Sequence, residues 1–322
     1  MNARPVITGL GEVLWDVYPD AAHFGGAPAN FACHAASLGA EAWMVSAVGA
    51  DELGDRALNA LRRCGVEFGQ VARDPHHATG RVLVTLDAAG VASYQFAADT
   101  AWDHLAWSGE SATLAARCDA VCFGTLGQRS PVSRETIRRF LRATPPAALR
   151  VFDVNLRQHF YDRETIHTSL QLASALKLND EELPIVADLC GLTATTPREM
   201  LRELLTRYEL RLAALTRGPR GSLLITTDAE DECPAPPTAV VDTVGAGDAF
   251  TATLVTGFLR SLPLAEINRH ANAVAAFVCS QNGATPPLPE NADEEAKLKQ
   301  TLSTLAVREG HVTNTIKLPG AK

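Results

Sequence analysis

Short apolar segments alternate with segments of helical periodicity along most of this 322-residue chain, and this alternation constrains the fold most strongly. The apolar segments predict strands at residues 6–10, 42–48, 120–124, 149–154, 175–178, 212–216 and 222–226. The segments with helical spacing predict helices at residues 29–38, 53–63, 131–141, 165–175, 197–208, 246–259 and 264–279. Because strands joined by helices usually pair in parallel, we predict an α/β fold: a central, mostly parallel sheet flanked by helices on both faces.

One stretch departs from this alternation. Residues 81–86 and 91–96 flank Asp87-Ala88-Ala89-Gly90, which predicts a β-hairpin with a glycine-containing turn. A hairpin inside an alternating α/β chain indicates a separate small sheet, to which residues 14–18 would add a strand. We interpret this sheet as a lid. The predicted lid comprises residues 14–24 and 76–104, and the predicted α/β domain comprises residues 1–13, 25–75 and 105–322.

Composition argues against several classes of protein. The chain has 29 Lys and Arg against 37 Asp and Glu, a net charge of -8, which disfavours nucleic-acid binding. The first apolar segment is too short for a signal peptide, and no apolar run is long enough to span a membrane. The seven cysteines are odd in number and scattered, so we expect neither disulfides nor structural zinc. These features predict a cytoplasmic protein that binds small molecules, not nucleic acids or membranes.

A glycine-rich segment, Asp242-Thr243-Val244-Gly245-Ala246-Gly247-Asp248, begins the predicted helix at residues 246–259. Gly245 and Gly247 allow a sharp turn that brings amide N–H groups together at a helix N-terminus, where negative charge is favoured. This arrangement suits a phosphoryl group in transfer, with Asp248 as the base in the first helical turn. Taken alone, the same residues are more often a structural helix cap.

A second segment near the N-terminus, Gly25-Gly26-Ala27-Pro28-Ala29-Asn30, precedes a helix of small residues. Its glycines allow a ligand to approach the backbone, and Asn30 supplies both a donor and an acceptor for hydroxyl groups. An ordinary turn into a helix explains the segment equally well on its own.

Together, in this order and at this separation, the two segments resemble the two signatures of the PfkB (ribokinase-like) carbohydrate kinase family. The resemblance covers residues 5–300. It implies a ribokinase-like fold with a small β-sheet lid, and ATP-dependent phosphorylation of a primary hydroxyl of a sugar with Mg²⁺ as cofactor. It also implies a homodimer in which the lid hairpins pair across subunits.

The resemblance implies roles for further residues on the nucleotide side. Asn179-Asp180-Glu181-Glu182 resembles an Asn-x-x-Glu motif, so Glu182 is expected to hold Mg²⁺, partly through water, and Asn179 to contact the nucleotide. Without the resemblance, Asn179 is explained as a helix cap, and residues 216–221 are explained as a glycine turn between two strands. Thr216-Arg217-Gly218-Pro219-Arg220-Gly221 resembles a turn that touches ATP, and the expected nucleotide contacts are Thr216, Arg217, Gly218, Gly221, Gly245, Gly247 and Asn272.

On the sugar side, Asp153-Val154-Asn155-Leu156-Arg157 resembles a segment common in fructokinases and 2-keto-3-deoxygluconate kinases. Arg157 would contact sugar or phosphoryl oxygens, or else form an ordinary surface ion pair. Phe96 would contact the sugar or pack within the lid. The residues expected to bind the sugar are Asp16, Gly25, Gly26, Asn30, Phe96, Asn155, Arg157 and Asp248. A monovalent cation, K⁺, is expected beside Asp242 and the carbonyls of Val244 and Gly283.

In the implied reaction, Asp248 accepts the hydroxyl proton while the amides around Gly245, Ala246 and Gly247 stabilise the transferring group together with Arg157. Fructose, phosphorylated at its 6-hydroxyl, is the first candidate sugar. The second is 2-keto-3-deoxygluconate, whose carboxylate would pair with Arg157, and ribose is the third. A catalytically silent sugar- or nucleotide-binding regulator is the alternative of another class, and the presence of Asp248 and both glycines argues against it.

Overall fold

The computed structural model describes residues 3–86 and 92–289, so the predicted hairpin turn at residues 87–90 lies outside the described residues. The strands are β1 (Val6–Leu10), β2 (Leu14–Val17), β3 (Ala22–Gly25), β4 (Glu41–Gly49), β5 (Glu67–Asp74), β6 (Gly80–Leu86), β7 (Ala92–Phe96), β8 (Ala120–Phe123), β9 (Leu149–Asp153), β10 (Ala175–Asn179), β11 (Leu212–Thr216), β12 (Ser222–Ile225) and β13 (Glu230–Cys233). The helices are α1 (Ala27–Ser37), α2 (Glu52–Arg63), α3 (Gly109–Ala115), α4 (Pro131–Ala143), α5 (Arg163–Leu172), α6 (Glu182–Cys190), α7 (Pro197–Arg207), α8 (Ala246–Leu259) and α9 (Leu264–Cys279).

The large sheet has nine strands in the described part of the chain, in the order β13-β12-β11-β10-β9-β8-β1-β4-β5. Its neighbours pair in parallel except for β11 with β12 and β12 with β13, which are antiparallel. Side chains alternate between its faces: Leu212 and Ala214 of β11 pack in one apolar cluster, and Ala213 and Leu215 in the other. Helices α1, α2, α8 and α9 cover the first face and α3 to α7 the second. The predicted fold class is confirmed.

The small sheet has the strand order β3-β2-β6-β7. β2 pairs in parallel with β6, and the other two pairings are antiparallel. Val82 of β6 is buried with Leu14, Trp102 and Leu126, whereas its neighbour Leu83 on the opposite face is 42% exposed. The separate small sheet is therefore as predicted. Its pairing across a homodimer stays a prediction.

Several elements were absent from the sequence-based expectation. β5 and β13 lie at the two edges of the large sheet and carry many polar residues, so they lack the apolar run that marks a buried strand. β3, α3 and α6 are short, and β3 includes Gly25, one residue beyond the predicted lid boundary. Helix α5 ends at Leu172 rather than at residue 175, because Ala175 already pairs with Val151 in the sheet.

Among the described helices, none has both the length and the apolar character that a membrane span requires.

Candidate active site

A cavity of about 1170 Å³ lies between the small sheet and the carboxyl ends of the parallel strands. Asn155 follows β9, Asn179 ends β10 and Thr216 ends β11, and all three side chains line the cavity. Asp16 and Phe96 line it from the small sheet. Ligands of open α/β sheets bind at this edge, because loops that follow parallel strands converge there.

Most of the residues predicted for the site lie in the wall of this cavity. Those in the wall are Asp16, Gly26, Asn30, Phe96, Asn155, Arg157, Asn179, Thr216, Gly218, Gly221, Val244, Gly245, Ala246, Gly247, Asp248 and Asn272. Gly25, Glu182, Arg217, Asp242 and Gly283 lie outside the wall.

Asp248 lies in the first turn of α8, and its carboxylate joins the two glycine-rich segments. Asn30 Nδ2 donates a hydrogen bond of 2.8 Å to Asp248 Oδ2 across 218 residues of sequence. Burial, and secondly the nearby carboxylate of Asp153, raises the pKa of Asp248 from 3.8 to about 7. A carboxyl with this pKa can take up and release a proton near neutral pH, as a general base must.

Gly245 begins helix α8 with a left-handed backbone, φ 80°. A Cβ atom at this position would lie 2.2 Å from the carbonyl oxygen of Ala284, so the position requires glycine. A Cβ atom at Gly247 would lie 3.1 Å from Lys177 Nζ, which places this ammonium group beside the helix N-terminus. The helix amides and Lys177 together form an environment for an anion next to Asp248.

Lys177 and Asp153 are two residues at the site to which the sequence assigned no role, although Asp153 begins the segment that resembles one common in fructokinases. Lys177 Nζ lies 3.0 Å from Asp153 Oδ1, and Thr251 Oγ1 donates to Asp153 Oδ2 at 2.9 Å. Burial alone would lower the pKa of Lys177, but the carboxylates of Asp153, Glu182 and Asp248 raise it, so the side chain stays cationic. The sequence did contain a signal for Lys177: it lies inside the apolar strand segment at residues 175–178, where a buried charge requires a partner of opposite charge.

Glu12 is a third missed residue. It lines the cavity, is 2% exposed, and its Oε2 has no hydrogen-bond partner among the described residues. Burial raises the pKa of Glu12 to about 7, against the lowering effects of its own backbone amide and of Arg157. Asn30 Oδ1 is likewise buried without a partner in the described part of the chain. Two buried oxygens in the cavity wall thus lack hydrogen-bond donors, which a ligand rich in hydroxyl groups would supply.

Asn155 and Arg157 lie on the loop after β9, and a hydrogen bond to the carboxylate of Glu182 restrains this loop. Asn155 has a left-handed backbone, φ 43°, and Glu182 Oε1 accepts a 2.9 Å hydrogen bond from the amide of Leu156. Glu182 Oε2 accepts a second bond of 2.8 Å, from the amide of Asn179. Each oxygen of Glu182 keeps lone pairs beyond its one amide bond, so a water-mediated contact to Mg²⁺ is chemically compatible with this position. Arg157 is exposed; burial raises the pKa of Asp16, and the positive charge of Arg157 partly opposes this rise.

The three residues predicted around a monovalent cation are brought together by Asp242. Its Oδ1 accepts a hydrogen bond of 3.0 Å from the amide of Val244, and its Oδ2 one of 3.1 Å from the amide of Gly283. These two contacts are made by amides and not by the carbonyls that a cation would need. The K⁺ site stays a prediction.

The other end of the cavity has a different character. Gly221 has φ 81°, and a Cβ atom there would lie 1.9 Å from the carbonyl oxygen of Cys233, so this turn requires glycine. Asn272 Nδ2 donates to Ser222 Oγ at 2.6 Å, which holds α9 against β12. The side chain of Arg217 lies outside the cavity wall, and its Nη1 lies 2.7 Å from Glu232 Oε1. The remaining wall is mostly apolar and comprises Pro219, Ala235, Pro236, Pro237, Thr238, Val240, Ala275, Ala276 and Cys279.

The end of the cavity at the small sheet combines a carboxylate with aromatic rings. Burial raises the pKa of Asp16, and a Cβ atom at Gly25 would lie 3.0 Å from Asp16 Oδ2. Gly25 lies outside the cavity wall, and its lack of a side chain leaves room for the carboxylate of Asp16. Phe96 both lines the cavity and packs edge-to-face on Phe160, with ring centroids 5.6 Å apart.

Comparison with known proteins places the chain in a family. Residues 20–291 match the pfkB family carbohydrate kinase model. An uncharacterized sugar kinase of Pyrococcus horikoshii is 30% identical over 294 residues, which cover 88% of this chain and 89% of that protein. Fructokinase-2 of Zea mays is 29% identical over 310 residues, with 88% of this chain and 91% of that protein covered. The crystal structure of a Xylella fastidiosa fructokinase with bound ATP matches with a TM-score of 0.80 at 23% identity, over 92% of this chain and 99% of that one, which shows a shared fold. The chain belongs to the pfkB family of carbohydrate kinases and has a ribokinase-like fold.

Proposed function

We propose that this protein is an ATP-dependent sugar kinase whose first-choice substrate is fructose, phosphorylated at the 6-hydroxyl. The observation that carries the proposal is the group of Asp248, Asn30 and Glu12 at one end of the cavity. Asp248 has a pKa near neutrality, and the buried oxygens of Asn30 and Glu12 lack donors among the described residues. A sugar hydroxyl group satisfies such oxygens, and a carboxylate whose pKa is about 7 is suited to deprotonate it.

In the proposed reaction, Asp248 accepts the proton of the sugar hydroxyl while that oxygen forms a bond to the γ-phosphorus of ATP. The bond from this phosphorus to the β–γ bridging oxygen breaks, and ADP leaves with the bridging oxygen. The amides at the N-terminus of α8 and the ammonium group of Lys177 stabilise the negative charge of the transferring group. Mg²⁺, which Glu182 would hold through water, would neutralise charge on the ATP phosphates.

The nucleotide is assigned to the apolar end of the cavity. Proteins that bind adenine nucleotides commonly enclose the base between apolar side chains, and Pro236, Val240 and Ala276 line this end. ATP is bound in the Xylella fastidiosa fructokinase, which has the same fold. The phosphates would then extend toward Gly245 and Lys177, where the anion environment lies.

The charges at the end of the cavity that contains Asp248 favour a neutral sugar over an acid sugar. Three carboxyl groups, of Glu12, Asp16 and Asp248, line this part of the cavity, and Arg157 is an exposed cation in the same wall. A substrate carboxylate would have to approach these acids in order to reach Arg157, which opposes 2-keto-3-deoxygluconate. The similarity to fructokinase-2 of Zea mays supports fructose among the neutral sugars.

A panel of sugars with ATP and Mg²⁺ tests the proposal. We expect ADP release with the highest kcat/KM for fructose, compared with 2-keto-3-deoxygluconate, ribose, glucose and a nucleoside, and a product phosphorylated at the 6-position by ³¹P NMR. A higher kcat/KM for the acid sugar would overturn the choice of fructose. Sugar binding without any rise of ADP release above the rate of ATP hydrolysis measured without sugar would support the regulatory alternative instead.

A further inference from the structure

A cluster of metal-ligating side chains lies outside the cavity, at the base of the small sheet. His77 lies on the segment that leads into β6, and Asp99 and His104 lie on the segment that returns from β7. One ligand atom from each of these three residues lies within 4.8 Å of the other two. None of the three lines the cavity, so the cluster is separate from the candidate active site.

The distances within the cluster are close to those of a metal site. Asp99 Oδ1 lies 2.7 Å from His104 Nε2 and 3.9 Å from His77 Nε2. Ligand atoms of tetrahedral Zn²⁺, with bonds of about 2.0–2.1 Å, are separated from one another by roughly 3.3 Å. Asp99 has to move by about 0.6 Å relative to each histidine, and the imidazole rings of His77 and His104, which stack with centroids 3.6 Å apart and planes 12° apart, have to turn so that both Nε2 lone pairs converge on the ion. Its side chain is 74% exposed, which leaves it free to move and gives an ion access from solvent.

A second carboxylate fixes the orientation of His77. Asp74 Oδ2 lies 2.8 Å from His77 Nδ1, and Asp74 Oδ1 accepts hydrogen bonds from the amides of His76 and His77 at 2.7 Å and 3.0 Å. A proton on Nδ1, donated to Asp74, leaves the lone pair of Nε2 directed at the cluster. Metal-binding histidines are commonly supported by a carboxylate in this way, and the partner contributes to metal affinity.

We propose that His77, Asp99 and His104 bind a divalent transition-metal ion such as Zn²⁺, with Asp74 as a positioning residue for His77. Two imidazole nitrogens and one carboxylate oxygen suit Zn²⁺ and Co²⁺, whereas Mg²⁺ prefers oxygen ligands alone. The ion joins the segment that enters the β6–β7 hairpin to the segment that leaves it. Metal binding thereby restrains the connection between the small sheet and the large one.

Titration of the chelator-treated full-length protein with ZnCl₂, in the absence of nucleotide, tests this site by calorimetry. We expect one binding site that is lost in the double variant His77→Gln/His104→Gln and retained in His76→Gln, which changes an exposed histidine beside the cluster. Asp74→Asn is expected to weaken binding by about 10–100-fold without removing a ligand. Circular dichroism and the thermal midpoint in the presence of chelator check that each variant is folded.

Cysteines are the competing ligands, because Cys33 and Cys64 contact each other through their thiols. Co²⁺ distinguishes them, since thiolate ligands add a charge-transfer absorption band that nitrogen and oxygen ligands do not. We expect d–d absorption without that band in the wild type, and its loss in the double variant. The proposal is overturned if the double variant binds Zn²⁺ as tightly as wild type, or if the wild type shows no site other than a thiolate one.

Discussion

The two ends of the cavity are built differently. The end that contains Asp248 and Glu12 is lined by polar side chains, including Asp16 of the small sheet, and burial raises the pKa of Asp248 and of Glu12 to about 7. The end that contains Pro236 and Ala276 belongs to the large sheet and its loops, and offers mainly apolar surface and backbone. We infer that the chemistry and the choice of sugar depend on a few charged groups at the first end, whereas nucleotide binding is spread over many small contacts.

The largest expected effect is that of Asp248→Asn, which keeps the shape of the side chain and its contact with Asn30. We expect kcat to fall about 10²–10⁴-fold, because proton abstraction by a positioned base contributes that much. ADP release with saturating fructose measures the loss. Wild-type turnover in a folded variant would exclude Asp248 as the base.

The same variant has a predicted effect on stability, with a definite sign. The pKa of Asp248 is raised from 3.8 to about 7 on folding, so its contribution to stability is present below pH 3.8 and is lost as the pH rises through 7. Asp248→Asn removes this ionisation. We expect a thermal midpoint above that of wild type at pH 8 and close to it at pH 4. A midpoint lowered at pH 8 would contradict the raised pKa.

The next effect is on the pH dependence of the wild-type enzyme. Since Asp248 has to be ionised to accept a proton and its pKa is about 7, kcat/KM is expected to fall about tenfold per pH unit below that value. Glu12 has a similarly raised pKa, so Glu12→Gln is the matched control. If the Glu12→Gln variant is active and its kcat/KM no longer falls at acidic pH, the fall in the wild type reports the ionisation of Glu12 and not of Asp248.

A smaller effect is expected from Arg157→Ala at the sugar end. Loss of one charged hydrogen bond to the substrate from an exposed side chain should raise the KM for fructose about tenfold, the factor that corresponds to about 1.4 kcal/mol. The KM for ATP should stay within about twofold, because the nucleotide is assigned to the other end. A selective rise in the KM for ATP would move Arg157 from the sugar to the phosphates.

The smallest effect is expected from Arg217→Ala. This side chain belongs to a segment that resembles an ATP-contacting turn, yet it lies outside the cavity wall and pairs with Glu232 at 2.7 Å. We expect the KM for ATP to change less than about twofold, because the guanidinium group is paired with Glu232 outside the cavity wall. A tenfold rise would show that Arg217 turns into the cavity when ATP binds.

The sequence by itself determined the fold class, the existence of a small separate sheet, and the two glycine-rich segments around the site. These features are encoded locally: buried parallel strands require apolar runs, and the turn at Gly245 requires a residue without a side chain. The same reasoning missed β5 and β13, because edge strands bury little and need no such pattern.

Only the tertiary structure decided which polar residues meet. The hydrogen bond between Asn30 and Asp248 spans 218 residues, and the pairing of Lys177 with Asp153 depends on β9 and β10 lying side by side. The raised pKa values of Glu12 and Asp248 follow mainly from burial. Burial and charge proximity are properties of the packed chain, so a local pattern of residues does not contain them.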